Sequence, residues 1–268
     1  MNFETAVSRD GTRIAYETRG NGPPVIMIGG ANNTRHSPPI CALPMAELLA
    51  PQFRAIAFDR RGRGDSGDTP PHAVAREVED VAAIIAAVGG PVRMFGHSSG
   101  GALILECALA GLPISAIAIY EPPYAMDEAA ESEGRRWDAE IGALLAAGKP
   151  GAAAEFFMAG TGMPRGMIEG MKGSPYWPAI ERLAPTLPYE NRIMAAAGSR
   201  EVREKRLAAV GVSVLAMAGG DSPDWMRAAA RSVAEAVPKG TYREFAGANH
   251  MVGEALVAPV LVEFFRGK

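Results

Sequence analysis

Gly96-His97-Ser98-Ser99-Gly100 sets a hydroxyl at the centre of a stretch bounded by glycines. The apolar run Val92–Phe95 ahead of it reads as a short strand, and Ala102–Ala110 behind it as a buried helix starting near Gly100. G-x-S-x-G between a strand and a helix is a way of presenting a nucleophilic serine. The turn forces Ser98 into a strained backbone conformation, and small residues two before and two after it let strand and helix approach without Cβ clashes. Its hydroxyl then projects above the carboxyl end of the strand, where open α/β sheets bind ligands. Ser99 has a different expected part, a backbone N–H at the helix start that faces a developing oxyanion. A turn without chemistry would not need a hydroxyl at its apex.

The elements that must hold this turn follow from periodicity. Phe3–Ser8 and Thr12–Thr18 flank Arg9-Asp10-Gly11 and predict a hairpin. Val25–Ile28, Phe53–Phe58 and Ile114–Tyr120 predict further strands. Val74, Val78, Val81, Ile84, Ile85 and Val88 recur at helical spacing and stop at Gly89-Gly90-Pro91. From Pro122 to Arg206 the strand–helix rhythm lapses into helical pieces broken by Gly and Pro, carrying Met126, Met158, Met163, Met167, Met171 and Met194. It resumes with a strand at Val212–Ala218, a helix at Asp224–Val237, a strand at Thr241–Phe245 and a helix at Met251–Phe265. Alternating strands and helices predict an α/β fold, a mostly parallel central sheet with helices on both faces. Residues 1–121 and 207–268 are its expected core, and 122–206 a helical cap inserted over one end.

Composition narrows the class. The 268 residues are 48% hydrophobic with net charge −3, enough for a large core and without the clustered Lys and Arg of a nucleic-acid footprint. Arg60, Arg61 and Arg63, interleaved with glycine and followed by Asp65 and Asp68, read as a solvated or salt-bridged turn. Cys41 and Cys107 lack metal-ligand spacing and suggest a reducing compartment. The first residues lack a basic patch followed by an apolar run, and no apolar stretch is long enough to span a bilayer. The expectation is therefore a cytoplasmic, soluble monomer or homodimer that acts on a small molecule, without metal, cofactor, nucleic acid or membrane.

With Ser98 in place, the whole chain resembles the α/β-hydrolase superfamily. Val25–Ala31 is similar to its strand and oxyanion loop, Asp59-Arg60-Arg61-Gly62-Arg63-Gly64-Asp65-Ser66 to its D-x-R-G-x-G-x-S loop, and Ala248-Asn249-His250-Met251 to its late catalytic-histidine segment. The resemblance implies a serine hydrolase with a catalytic triad. His250 is its base, in the chain order Ser, acid, His. The usual acid segment is Gly219-Gly220-Asp221-Ser222, where Ser222 stands at the position of the carboxylate. Glu121, at the end of the strand after the elbow helix, is the preferred acid, and Asp221 the alternative. A carboxylate that merely caps a helix is the plain reading of either, of Asp221 especially. The backbone N–H of Ala31 is the second oxyanion donor implied, although Gly29 replaces the family's usual histidine.

Asn32, His36, Met126, Trp137, Met158 and Trp177 are candidate pocket residues, with plain packing, or for His36 a solvated loop, as the competing reading. No Arg cluster in a phosphate-binding context suggests an anionic substrate, so a medium-sized, mostly apolar ester or lactone is expected. Carbon–carbon bond hydrolysis or perhydrolysis would use the same triad, and a slow-turnover ligand receptor would keep it. A serine at the elbow argues against dehalogenases and epoxide hydrolases, which carry aspartate there. The glycines at 29 and 30 lack the spacing of a dinucleotide-binding turn.

Overall fold

A computed structural model describes residues 3–37 and 42–267, which leaves Cys41 outside the described residues. In chain order the elements are β1 (Glu4–Val7), β2 (Arg13–Arg19), β3 (Pro24–Ile28), α1 (Leu43–Leu49), β4 (Arg54–Phe58), α2 (Val74–Val88), β5 (Val92–His97), α3 (Ser99–Leu109) and β6 (Ile114–Tyr120). Then come α4 (Glu128–Ala146), α5 (Pro150–Gly160), α6 (Arg165–Lys172), α7 (Trp177–Leu183), α8 (Leu187–Ala197) and α9 (Arg200–Leu207). The chain closes with β7 (Ser213–Gly219), α10 (Asp224–Ala236), β8 (Gly240–Phe245) and α11 (Glu254–Phe265). Among the described residues no strand lies between β6 and β7, and no helix is long and apolar enough to cross a membrane.

One sheet runs in the order β1-β2-β4-β3-β5-β6-β7-β8. The pairs β1–β2 and β2–β4 are antiparallel and all others parallel. The inner strands β3 to β7 are buried on both faces, so their alternate residues feed two cores, while the edge strand β8 is largely exposed. On β3, Ile26 and Ile28 join one core while Val25 and Met27 join the other. Ile84 and Ile85 of α2, Leu103 of α3 and Val233 of α10 complete the first, and Met45 of α1 and Leu261 of α11 the second. A third cluster, around Ile141, Phe157, Met158, Ile168 and Leu187, holds the helices of the 122–206 segment together.

Two expectations shift and one alternative is decided. Helix α1 was not anticipated from the sequence. Strand β5 runs on through Gly96 and His97, because pairing with β6 continues as far as His97 opposite Tyr120. Of the two readings of the arginines after β4 the salt-bridged one holds and the solvated one does not: Arg60, Arg61 and Arg63 are 3%, 0% and 1% exposed. Their charge is met by buried carboxylates. Arg60 pairs with Glu77 at 2.7 Å and with Glu190 at 2.9 Å, Arg61 with Asp80 at 2.7 Å, and Arg63 with Glu190.

Candidate active site

Ser98 sits between β5 and α3 with φ 55° and ψ −131°, a left-handed conformation costly for a side chain with a Cβ. Packing holds it there. A Cβ on Gly96 would come within 2.6 Å of Gly101 Cα, and one on Gly100 would run into the carbonyl oxygen of Ile28. Ser98 N–H donates to Tyr120 O at 2.8 Å, and Gly101 N–H donates to Ser98 O at 2.9 Å. Above the hydroxyl passes the loop after β3: a Cβ on Gly30 would lie 2.7 Å from Ser98 Cβ and 3.3 Å from its Oγ.

Glu121 follows β6 with φ 46° and is fully buried. Both of its carboxylate oxygens are occupied. Oε1 accepts the Gly219 N–H at 2.7 Å, and Oε2 lies 2.7 Å from His250 Nδ1. The second contact is part-exposed only on the histidine side, where His250 is 28% open. An Nδ1 proton committed to Glu121 leaves Nε2 as the imidazole atom that can accept a proton. Asp221 makes no such contact: its side chain is exposed, and its backbone N–H is spent on Ala248 O at 2.8 Å.

The loop bearing His250 is pinned by the residues just before Ser98 and Glu121. His97 Nε2 bonds the His250 carbonyl oxygen at 3.0 Å, and Tyr120 Oη donates to Asn249 O at 2.8 Å. The His97 and His250 rings lie 4.5 Å apart between centroids. Burial, reinforced by the neighbouring His250, holds His97 well below the usual histidine range, so it stays neutral. Neither His97 nor Tyr120 was singled out as a site residue from the sequence, yet the signal was there. Strand alternation turns both to the face of Phe95 and Ala118, the face on which α11 packs.

Two N–H groups belong to residues next to this turn in the chain, Ala31, which follows Gly30 in the loop after β3, and Ser99, which follows Ser98 at the start of α3. Among the described residues neither is donated to a backbone carbonyl. Ser99 N–H is one of the orphan donors that open any helix. Arg35 ties the β3 loop to its neighbours, with its N–H on Asp59 Oδ1 at 2.8 Å and its guanidinium on Glu17, Asp59 and Asp65.

The expected pocket residues divide. Asn32 adjoins Ala31 with φ 54°, and its buried Oδ1 has no partner among the described residues. Trp137 stacks on Phe157 at 4.7 Å, Met158 is buried, and Trp177 donates to Glu181 at 3.0 Å; all three join the cluster against which Ala31 packs. Met126 packs against the first core, with its sulfur near Ser232, and His36 turns to Glu17 at 3.1 Å. Those two are explained by packing and by a polar contact with Glu17. Glu190, Arg60 and Arg63, which touch the Ser99 hydroxyl and the carbonyls of Gly29 and Gly30, went unrecognised as parts of this region.

A model described as alpha/beta hydrolase family matches residues 25–259. An alpha/beta hydrolase from Sphaerobacter thermophilus superposes with a TM-score of 0.86 at 44% identity, covering 98% of this chain and 100% of that one. A thermophilic esterase from Thermogutta terrifontis gives 0.72 at 19% identity, covering 99% and 98%. The enol-lactonase from Burkholderia xenovorans gives 0.72 at 17%, covering 98% and 100%. At these lower identities the likeness is one of fold alone. Two curated Mycobacterium tuberculosis relatives, whose name includes the words non-heme bromoperoxidase, are 34% identical over 97 residues. That match spans 35% of this chain and 35% of the length of those relatives.

Proposed function

The chain belongs to the alpha/beta hydrolase family, and from that premise we propose that it is a serine hydrolase of medium-sized, mostly apolar esters or lactones. Ser98 Oγ attacks the carbonyl carbon. Its proton passes to Nε2 of His250, and the imidazolium so formed is held by Glu121. The N–H groups of Ala31 and Ser99 stabilise the developing oxyanion. His250 then returns the proton to the leaving alcohol, and a water activated by the same imidazole releases the acid. The observation that carries this reading is the 2.7 Å contact between Glu121 Oε2 and His250 Nδ1, one strand over from a serine in a left-handed elbow. Among the described residues the Ser98 hydroxyl caps no N–H of its own helix, which keeps its lone pairs for substrate.

The helices of residues 122–206 are proposed as the lid, and 1–121 with 207–268 as the core. Met158, Trp137 and Trp177, in the cluster beside Ala31, give that lid an apolar inner side suited to an uncharged acyl or ring group. A fluorophosphonate probe tests the reading directly. It is expected to label one site, located by peptide mass to the fragment containing Ser98, and to leave Ser98→Ala unlabelled. Equal labelling of the variant would remove Ser98 from the mechanism.

A further inference from the structure

A peptide group is planar, so whatever fixes its carbonyl oxygen also fixes the direction of its N–H. Gly30 O and Ala31 N–H belong to one peptide, which passes over Ser98 through a residue with no side chain to hold it. Without a restraint such a peptide can turn over and point its oxygen where the N–H is needed. Here Arg63 Nη1 donates to Gly30 O at 2.6 Å. Arg63 is buried, and among the described residues its carboxylate partner is Glu190, through Nη2. The other oxygen of Glu190 accepts the Ser99 hydroxyl and Arg60 Nη1. Arg60 Nη1 also lies 3.4 Å from Gly29 O. One carboxylate, 4% exposed and carried on α8, is thus tied through Arg63 to the peptide that bears the Ala31 N–H and directly to the side chain of Ser99, the residue that bears the other candidate donor.

We propose that Glu190, acting through Arg63 and the Ser99 hydroxyl, is a positioning residue that locks the Ala31 and Ser99 N–H groups toward the Ser98 oxygen. It touches no reacting atom. The inference rests on the serine-hydrolase reading above. It also makes the oxyanion site dependent on the seating of α8, a helix of the 122–206 segment, against α3. A lock on the donors differs from general structural support in one respect: it stabilises the tetrahedral state and leaves ground-state binding alone.

The test uses full-length Glu190→Gln and Arg63→Lys. Lysine keeps the positive charge but lacks the fork that reaches Gly30 O and Glu190 together. Hydrolysis of p-nitrophenyl acetate is measured per competent serine, counted with the fluorophosphonate probe. Affinity is measured for phenylboronic acid, whose boron accepts a lone pair of Ser98 Oγ while the serine proton passes to His250, giving a tetrahedral adduct. The expected result is kcat reduced roughly 10- to 100-fold, phenylboronic acid weakened by a similar factor, and KM within about twofold of wild type. Where those variants do not fold, Ser99→Ala, which keeps both ion pairs, is expected to lower kcat several-fold with KM unchanged. A folded variant with wild-type kcat and boronate affinity, or one that changes KM alone, overturns the inference. If Ser98→Ala is inactive in the same assay, that failure leaves the function reading standing; if Ser98→Ala is fully active, the function reading itself falls.

Discussion

Glu121 spends one carboxylate oxygen on Gly219 N–H and the other on His250 Nδ1, so its position is set independently of the histidine it contacts. That separation matters in a fully buried site, where a carboxylate without partners would be costly. Asp221, with its side chain exposed and, among the described residues, no contact to the imidazole, has neither constraint. Glu121→Gln is therefore expected to lower kcat by about 10³-fold or more, because the amide stabilises the imidazolium poorly and favours the wrong tautomer. Asp221→Asn should stay near wild type. Steady-state ester hydrolysis by both variants checks this, and the reverse ranking would move the acid to Asp221. The choice between the two was open from sequence alone, since both follow strand ends; only the tertiary return of the His250 loop separates them. His36 and Met126 were indistinguishable from pocket residues for the same reason, their partners Glu17 and Ser232 being set by folding.

At the scale of elements, much of the fold was legible, because its signals are local. Val74–Val88 and Ile114–Tyr120 begin and end where periodicity and the following glycine or turn put them. The elbow was legible from its glycines, which mark where strand and helix backbones touch. Helix α1 was not, since seven residues with a proline in the first turn and no side-chain cap give little pattern to read. Residues Gly96 and His97 read as turn but pair as strand, tertiary ladder bonds overriding the weak propensity of glycine. The burial of the arginine loop was illegible for a further reason. Its partners lie 17, 19 and 127 residues away, at Glu77, Asp80 and Glu190, and no short-range pattern announces such pairs.

Across the whole molecule, these buried ion pairs tie the loop after β4 to α2 and α8 and make stability depend on acid. Burial alone would raise the Glu77 carboxyl, but Arg60 and the hydrogen bond from His72 outweigh it and hold the group well below its ordinary 4.5. Burial likewise opposes ionisation of Asp10, yet the Thr12 hydrogen bonds and Arg61 bring it from 3.8 to about 2. Both are depressed on folding, so the unfolded chain binds more protons as pH falls below about 4.5, and stability drops through that window toward pH 2. Urea midpoints across this range should fall with acid in wild type and fall less steeply in Glu77→Gln; parallel curves would mean that Glu77 is not the linked group. The proposed chemistry turns on one oxygen atom, Ser98 Oγ. Turnover of p-nitrophenyl acetate by Ser98→Ala, with the thermal midpoint measured beside it, tests that most directly: the prediction is a loss of about 10⁴-fold or more with the fold unchanged, and wild-type turnover by the folded variant would contradict it.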